Sequence, residues 1–130
     1  HDAARPFINK NLISESINIA KKHGTAIPVI KHVDSAYLSQ NASTLSKPID
    51  RNELLSSQTP QAYKTKILYD AMQYAKLNKI KFDFNDVPEL ILKNGSNPHI
   101  FKGSKYNLKL TSNEDILLLK SIHKILNTND

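Results

Sequence analysis

The sequence predicts an α/β fold in a single domain, and the first third of the chain carries that prediction. Between Asn11 and Lys22 apolar residues recur on one helical face, and Gly24 stands where helices commonly end in a left-handed residue. Residues Ala26 to Val33 then form a short, β-branched run that is typical of a buried strand. Helix, glycine turn and strand make half of a β-α-β unit, so we expect a parallel sheet with a right-handed crossover. The helix face expected in the core comprises Leu12, Ile13, Ile17 and Ala20.

Further helices and strands alternate along the rest of the chain. The pattern of apolar residues predicts helices over 64–76 and 85–93, strands over 99–102 and 106–110, and a final helix after the capping-box pattern Thr111-Ser112-Asn113-Glu114. The positions expected to face the core on these helices are Ile67, Leu68, Ala71, Met72, Ala75, Leu90, Ile91, Ile116, Leu119, Ile122 and Leu126.

Residues 34–50 differ from the rest of the chain because they are polar, rich in Ser and Asn, and poor in large apolar side chains. Asn41-Ala42-Ser43 suits a turn between two thin strands, Ser35 to Leu38 and Thr44 to Ile49. A two-stranded ribbon is only marginally stable in water without a surface to pack on. We therefore interpret the segment as a projecting β-arm that packs on a partner chain, with a mobile surface loop as the alternative.

Composition limits the classes of function. With 39% hydrophobic and 23% charged residues, the chain is typical of a soluble globular protein, and no apolar run approaches the ~18 residues of a membrane span. The absence of cysteine excludes disulfides and thiolate metal sites and agrees with a cytoplasmic location. The five histidines lack zinc-type spacing. The net charge of +6 favours anionic partners, but the lysines are dispersed, so a phosphate-rich ligand fits at least as well as nucleic acid.

The first five residues place a carboxylate and a guanidinium close together. Asp2 and Arg5 are separated by two alanines, and such a loop at the carboxyl end of a parallel strand lies where open α/β sheets bind ligands. Asp2 could hold a sugar hydroxyl or a metal-bound water, and Arg5 a phosphate. Taken alone, the spacing favours an ordinary Asp–Arg pair on the surface.

Arg51 and Thr59 precede the second helical region. Thr59 is a competent N-cap and Pro60 suits a first helical turn, so we expect a helix to open here. Arginine makes fork-like contacts with phosphate, and a threonine beside the N–H groups of a helix N-terminus adds a hydroxyl. An ordinary cap beside a solvated arginine would have the same pattern.

The segment Tyr106 to Thr111 alternates, which would put Asn107, Lys109 and Thr111 on one face of a strand. A polar face with a lysine is typical of a phosphate-lined cleft. Such a face is equally typical of a solvent-facing edge strand, where a lysine prevents pairing with other chains and hence aggregation.

Three stretches together resemble one enzyme family. HDAARPFI at 1–8, IDRNELLSSQTPQAY at 49–63 and KGSKYNLKLTSNEDI at 102–116 are similar to motifs of the methylerythritol-phosphate cytidylyltransferases and the related ribitol-5-phosphate cytidylyltransferases. The motifs occur in the family's order, and the resemblance runs from His1 to about Ile122. It implies a Rossmann-like three-layer nucleotidyltransferase sheet, of which residues 1–130 form the C-terminal part, with 34–50 as a dimerisation β-arm.

The resemblance also implies a reaction. Enzymes of this family transfer CMP from CTP to a polyol phosphate and release pyrophosphate, with Mg²⁺ as a partner to the phosphates, and their arms interlock two subunits. The acceptor phosphate attacks the α-phosphorus, so catalysis depends mainly on positioning and charge neutralisation. We expect CTP and a polyol phosphate as ligands and a second subunit as partner, with neither nucleic acid nor membrane involved.

Site residues follow from the same resemblance. Arg51, Thr59 and Lys109 are the expected catalytic residues. Arg51, reaching from the arm of the neighbouring subunit, and Thr59 hold the acceptor phosphate, while Lys109 faces the phosphates of CTP. Asp2 and Arg5 lie by the nucleotide and substrate, and Asp2 is the expected metal contact. The remaining residues expected to bind nucleotide or substrate are Asp34, Ser35 and Asn107.

The sequence departs from the family pattern at several positions. Tyr37 stands in place of a family lysine, and Asn85-Asp86-Val87-Pro88 keeps only the aspartate of a Thr-Asp-Glu-Ala motif. The glycine-rich loop that grips the CTP triphosphate in the family has no counterpart in these 130 residues, which open without methionine. We therefore expect a fragment that is inactive by itself.

Two acceptors compete on the sequence. Ala3-Ala4 and the stretch Gly24 to Val29 favour 2-C-methyl-D-erythritol 4-phosphate, a precursor in isoprenoid synthesis, and we prefer it. Pro6-Phe7-Ile8 and the lost lysine lean towards a ribitol-5-phosphate type that serves cell-surface polymers. A non-catalytic dimerisation fragment is the alternative from another class, and a nucleic-acid-binding protein is a third.

Overall fold

The computed structural model describes residues 1–81 and 87–127. In chain order the helices and strands are α1 (Lys10–His23), β1 (Thr25–Lys31), β2 (Ala36–Leu38), β3 (Lys47–Ile49), β4 (Leu55–Ser57), β5 (Ala62–Tyr63), α2 (Thr65–Leu77), α3 (Val87–Lys93), β6 (Ile100–Lys102) and α4 (Asn113–Asn127). The predicted helix over 85–93 is confirmed from Val87 onward, while the Asn85-Asp86 part of the weakened motif lies outside the described residues. No helix within the described ranges is both long and apolar enough to cross a membrane.

β1 is the central strand of the main sheet. β4 and β5 pair antiparallel with successive parts of β1, so that Val29 lies opposite Ser57 and Thr25 opposite Tyr63. β6 pairs with β1 in parallel. The sheet is therefore mixed. The predicted α/β fold is confirmed, but the expectation of a parallel sheet holds only for β1 and β6.

α1 ends at Gly24 as predicted, and a side chain caps its start. Asn9 is the N-cap, and its Oδ1 accepts a hydrogen bond from the backbone N–H of Leu12 at 2.8 Å. Gly24 ends the helix with φ of 91°, and its N–H donates to the carbonyl of Ala20 at 2.8 Å. The helix thus turns directly into β1 one residue later.

The buried face of α1 is rotated from the predicted one. Leu12 and Ala20 are buried as expected, but Ile13 and Ile17 are exposed, and Ser16 is buried instead. Ser16 tolerates burial because its hydroxyl donates to the carbonyl of Ile13 at 3.0 Å. The helix therefore packs on the sheet through Leu12, Ser16 and Ala20.

The described core consists of two clusters. One joins α1, β1 and β6, and the other joins α2 and α3, where Leu90 and Ile91 are buried as predicted. Among the other predicted core positions, Met72, Ile116 and Leu126 are exposed, because α2 and α4 each leave one apolar side uncovered. The buried members of the first cluster are Leu12, Ala20, Ala26 and Phe101, and those of the second are Ala71, Ala75, Leu90 and Ile91.

β2 and β3 form the predicted two-stranded ribbon, in which Ala36 lies opposite Ile49. Its turn is built around Asn41, whose Oδ1 accepts hydrogen bonds from the N–H groups of Ser43 and Thr44, both at 3.0 Å. The second strand begins at Lys47, later than the predicted Thr44. Tyr37 and other apolar side chains of the ribbon are exposed.

The helix predicted at Thr59-Pro60 was placed too early. Residues 55–63 run antiparallel to β1, and the N–H of Gln58 donates to the carbonyl of Pro28 at 2.8 Å. Because this pairing with β1 continues to Tyr63, α2 begins only at Thr65, with Lys64 in the N-cap position. Thr59 is therefore a residue between two strands and its hydroxyl caps no helix.

The predicted strand over 106–110 was wrong. Asn107 instead follows a turn, in which its N–H donates to the carbonyl of Ser104 at 3.1 Å, and the N–H of Leu110 donates to the carbonyl of Ala4 at 2.7 Å. The backbone of this segment thus bonds to itself and to the N-terminal loop rather than to a neighbouring strand. Asn107, Lys109 and Thr111 do not share one face, since Asn107 is buried and the other two are exposed.

The capping box before the last helix is displaced by one residue. Asp115 Oδ2 accepts hydrogen bonds from the N–H groups of Thr111 and Ser112, each at 2.8 Å. Ser112 and Asp115 therefore occupy the N-cap and N3 positions that the pattern had assigned to Thr111 and Glu114. The Thr111 hydroxyl also donates to Asp115 Oδ2. This hydroxyl bond has the largest effect, and together with the two backbone bonds it lowers the pKa of Asp115.

Candidate functional site

Three segments that are distant in sequence meet beside the carboxyl end of β6. They are the N-terminal loop 1–5, the residues after β4 around Thr59, and the loop 103–110 after β6. Loops at the carboxyl ends of strands are the usual ligand-binding position in open α/β sheets. The contacts below define a polar cluster, which consists of His1, Asp2, Arg5, Thr59, Asn107 and Lys109.

Asp2 connects all three segments. Its backbone N–H donates to Oγ1 of Thr59 at 3.0 Å, and its carboxylate Oδ2 lies 3.0 Å from Nζ of Lys109. Its other carboxylate oxygen, Oδ1, accepts from the N–H of Ala4 at 3.1 Å. The hydrogen bond from Lys109, followed by that from Ala4, lowers the pKa of Asp2. The carboxylate is thus ionised at neutral pH and holds an ammonium group beside it.

The Arg5 guanidinium donates its hydrogen bonds to backbone carbonyl oxygens, one of them in the loop after β6. Its Nη1 donates to the carbonyl oxygen of Asn107 at 2.7 Å, and its Nη2 to that of Ser57 at 3.5 Å. Burial lowers the pKa of Arg5, and the charge of Asp2 opposes that effect. Because guanidinium stays protonated in proteins, Arg5 contributes a partly desolvated positive charge to the cluster.

Asn107 is fully buried, with 0% of its surface exposed. Its Nδ2 donates to the carbonyl oxygen of Thr59 at 2.7 Å, so the side chain fixes the loop after β6 to the strand that carries Thr59. Its Oδ1 and Nε of Arg5 are buried and lack a hydrogen-bond partner in the described part of the chain. Unpaired buried polar atoms are uncommon in folded proteins and concentrate where function constrains the packing.

His1 also belongs to the cluster, although no sequence motif pointed to it. Its Nε2 lies 3.2 Å from the carbonyl oxygen of Arg5, and its Nδ1 lies 2.9 Å from Oγ1 of Thr59. A carbonyl oxygen only accepts, so Nε2 carries a proton, and in the tautomer protonated at Nε2 alone Nδ1 accepts from the Thr59 hydroxyl. The Thr59 oxygen in turn accepts from Asp2, which fixes the direction of the hydroxyl.

Arg51, Asp34 and Ser35 lie elsewhere, at the base of the ribbon. Nη1 of Arg51 donates to the carbonyl oxygen of Val33 at 3.0 Å, and Asp34 and Ser35 are exposed between β1 and β2. No hydrogen bond or ion pair among residues 1–81 and 87–127 joins these three side chains to the polar cluster. Within one chain, therefore, five of the eight residues selected from the sequence lie together, and three lie at the arm.

The carboxylate groups near the cluster are few. Asp2 is its only carboxylate among the residues described, and no group of three or more His, Cys, Asp or Glu side chains there could hold a metal. Magnesium in nucleotide enzymes commonly takes one or two carboxylates and completes its shell with phosphate oxygens and water. Asp2 fits one such contact, provided that the ligand's phosphates supply most of the others.

A groove of about 970 Å³ opens next to the cluster without including its side chains. Its walls are mainly apolar and include Val29, Phe101 and Tyr106, with Lys31, Lys102 and Lys105 among the lining residues. A phosphorylated ligand needs fixed donors and positive charge, which the polar cluster supplies. We therefore locate the candidate site at the cluster rather than in the groove.

The fold and cluster define a class of protein, an α/β domain with a basic site that carries a hydroxyl and suits a phosphorylated ligand. The profile of the family IspD, 2-C-methyl-D-erythritol 4-phosphate cytidylyltransferase, matches residues 1–124. The chain belongs to this family, and the resemblance stated from its motifs is confirmed.

Individual relatives agree with the family. The chain is 34% identical over 119 residues to the 2-C-methyl-D-erythritol 4-phosphate cytidylyltransferase of Thermosipho africanus, and 33% identical over 122 residues to that of Geobacillus kaustophilus. These matches cover 92% and 94% of this chain but 51% and 52% of the relatives. The chain thus spans about half the length of the curated relatives it matches.

A solved structure supports the same conclusion about the fold. The crystal structure of 2-C-methyl-D-erythritol 4-phosphate cytidylyltransferase from Thermus thermophilus superposes with a TM-score of 0.84 at 25% identity. The superposition covers 95% of this chain and 60% of that one. The predicted α/β fold is therefore confirmed, and it matches the fold of a solved cytidylyltransferase structure.

Proposed function

We propose that the natural protein carrying this chain is a cytidylyltransferase, which transfers CMP from CTP to 2-C-methyl-D-erythritol 4-phosphate and releases pyrophosphate. The observation that carries the proposal is the polar cluster, where Lys109, Arg5 and the hydroxyl of Thr59 meet around the carboxylate of Asp2. The names of the relatives, which specify this polyol phosphate, support the choice of acceptor. We propose a place in isoprenoid precursor synthesis together with that acceptor.

The chemistry of the reaction explains why such a cluster suits it. An oxygen of the acceptor phosphate attacks the α-phosphorus of CTP, a new P–O bond forms, and the bond between α-phosphorus and the bridging oxygen breaks as pyrophosphate leaves. Both reactants are anionic, so fixed positive charge and fixed donors lower the barrier by holding them together and by neutralising charge.

Each cluster residue has a proposed task. Lys109 faces the phosphates of CTP, and its neighbour Asp2 keeps the ammonium group in one position before the ligand binds. Thr59 donates its hydroxyl to the acceptor phosphate once His1 releases it. Arg5, whose guanidinium is half buried and bonded to Asn107, orders the loop beside the nucleotide.

Arg51, Asp34 and Ser35 complete the proposed site from the arm. Arg51 lies at the base of the ribbon, and its Nη1 donates a hydrogen bond to the carbonyl oxygen of Val33 in the same chain. We propose that two chains form a homodimer through arms 34–50, so that Arg51 binds the acceptor phosphate in the neighbouring subunit. The exposed apolar side chains Tyr37, Leu38 and Leu45 of the ribbon support such packing.

Magnesium is proposed as the partner of the phosphates, with Asp2 as its carboxylate contact. When bound, it would neutralise charge on the triphosphate and the leaving pyrophosphate. The single carboxylate of the cluster agrees with a metal that the nucleotide brings in.

A pyrophosphate-release assay on the natural protein tests the proposal. With CTP and Mg²⁺, we expect release with 2-C-methyl-D-erythritol 4-phosphate and none without an acceptor. Release only with ribitol 5-phosphate would replace the acceptor and keep the reaction class. No release with either acceptor, from a protein that forms stable dimers by light scattering, would favour a non-catalytic dimerisation module instead.

A further inference from the structure

Gln58 is a buried polar residue that the proposed reaction does not use. Its side chain is only 3% exposed and precedes Thr59 in the chain. Its Oε1 accepts from the backbone N–H of Ser104 at 3.1 Å, and its Nε2 donates to the carbonyl oxygen of the same residue at 2.9 Å. The side-chain amide therefore pairs with Ser104 much as a neighbouring strand would.

The same amide reaches further into the loop after β6. Nε2 of Gln58 also lies 3.3 Å from the carbonyl oxygen of Asn107, which is the atom that accepts from Arg5. The backbone of Gln58 is itself fixed, because its N–H bonds to Pro28 in β1. Gln58, whose backbone is paired with β1, thus holds the loop at Ser104 and Asn107, shortly before Lys109 in the sequence.

Gly103 permits this contact. Its N–H donates to the carbonyl oxygen of Val29 at 2.8 Å, and a Cβ at this position would overlap Oε1 of Gln58 and lie 3.2 Å from that carbonyl oxygen. Only glycine leaves room for the amide against the start of the loop. The position of the Gln58 side chain therefore depends on glycine at residue 103.

We infer, on the basis of the proposed function, that Gln58 is a positioning residue for cytidylyl transfer that acts through Lys109. It touches neither reactant. Its amide makes three hydrogen bonds to the loop after β6, and this loop holds the ammonium group of Lys109 beside Asp2. Loss of the amide removes these bonds and loosens the loop, and a displacement of about 1 Å costs up to ~100-fold in rate.

The first test replaces Gln58 by leucine in the natural protein, which removes the amide but keeps an apolar side chain of similar size. We expect kcat to fall about 10-fold or more, with little change in KM for the polyol phosphate, since Thr59 and Arg51 are intact. In a Lys109→Ala background the same substitution should cause no further loss, because the residue through which it acts is gone. An equal loss in both backgrounds, or no loss in either, would overturn the inference.

Controls separate positioning from a general loss of stability. Gln73→Leu makes the same change at a half-buried residue of α2 and should keep kcat. If Gln58→Leu does not fold, Gly103→Ala approaches the same contact from the other side, and its loss of kcat should likewise vanish with Lys109→Ala. A Gly103→Ala variant that folds and retains wild-type kcat would contradict the role.

A readout that does not need the reaction keeps this inference separate from the proposed function. We expect acylation of the Lys109 amine, measured by mass spectrometry, to become several-fold faster in Gln58→Leu, while Lys21 on α1 reacts at an unchanged rate. Unchanged labelling of Lys109 refutes the positioning role even if the enzyme is active. Faster labelling supports it even if wild-type protein fails the pyrophosphate assay, in which case only the proposed function fails.

Discussion

Nζ of Lys109 lies 3.0 Å from Oδ2 of Asp2, across 107 positions of sequence, and this ion pair joins the loop after β6 to the first residues of the chain. Both side chains are partly exposed, at 43% for Lys109 and 26% for Asp2, so the pair contributes little to stability. The ion pair instead determines the position of the Lys109 ammonium group. The ammonium group is held at the cluster before any ligand arrives, and the carboxylate compensates its charge until then.

Lys109→Ala should lower the rate of cytidylyl transfer by about 100- to 1000-fold, the usual effect of removing one fixed charge or donor from a transition state. The measurement is steady-state pyrophosphate release with the natural protein. Lys105→Ala provides the matched control, because it removes an exposed lysine from the same loop but not from the cluster, and it should leave the rate nearly unchanged. Equal rates for Lys109→Ala and wild type would remove Lys109 from the site.

The ion pair also predicts a pH dependence of stability. The folded state lowers the pKa of Asp2, so its stabilising contribution is complete above the unfolded value of about 4 and is lost as pH falls through the folded pKa. The free energy of unfolding of wild type should thus exceed that of Asp2→Asn by a constant amount, at most about 1 kcal/mol, from pH 7 to about 5. The difference should shrink below about pH 4.

Urea denaturation at several pH values measures that difference. Because the hydrogen bond from Lys109 is the main cause of the lowered pKa, the Asp2→Asn effect should be smaller in a Lys109→Ala background. A difference that instead grows on acidification would show that Asp2 is destabilising when ionised.

Sequence motifs selected most residues of the candidate site, but they did not reveal the contacts that hold these residues together. Asp2, Arg5, Thr59 and Lys109 were selected from three separate motifs, and the fold brings them into one cluster. No local pattern could supply Gln58, because its side chain bonds to Ser104 and Asn107, more than 40 residues away, and a glutamine before a threonine has no characteristic environment. No sequence pattern selected His1 for the same reason. Its contacts with Arg5 and Thr59 depend on the conformation of the N-terminal loop.

The errors in the fold have a common origin. Local alternation predicted a strand over 106–110 and local capping chemistry predicted a helix at Thr59, and tertiary pairing overrode both. Residues 55–63 are extended because β4 and β5 pair with β1, whereas the loop after β6 bonds to itself and to Ala4. Antiparallel pairing of β4 and β5 with β1 is likewise a property of the sheet that no single segment reveals.

Gly24→Ala should destabilise the protein more than Gly95→Ala. Both glycines have positive φ, 91° and 80°, which costs a residue with a Cβ about 1–2 kcal/mol. A Cβ at 24 would also overlap Cδ1 of Ile67 in α2, whereas one at 95 meets nothing within 4 Å. Thermal or urea unfolding measures both variants, and Gly24→Ala should cost less in an Ile67→Ala background, where the overlapping atom is absent. Equal destabilisation of the two alanine variants would show that the Ile67 side chain moves aside freely.

The division of the proposed site between subunits predicts complementation. In a heterodimer of Arg51→Ala and Lys109→Ala chains, one site receives both substitutions and the other receives neither, if Arg51 acts in the neighbouring subunit. Heterodimers purified with two different tags should then show roughly half of the wild-type kcat per dimer, while each homodimer is nearly inactive. Thr59→Ala with Lys109→Ala is the matched control, because both residues lie in the same cluster and each site keeps one defect. If the Arg51 heterodimer is as inactive as that control, Arg51 serves its own chain or none.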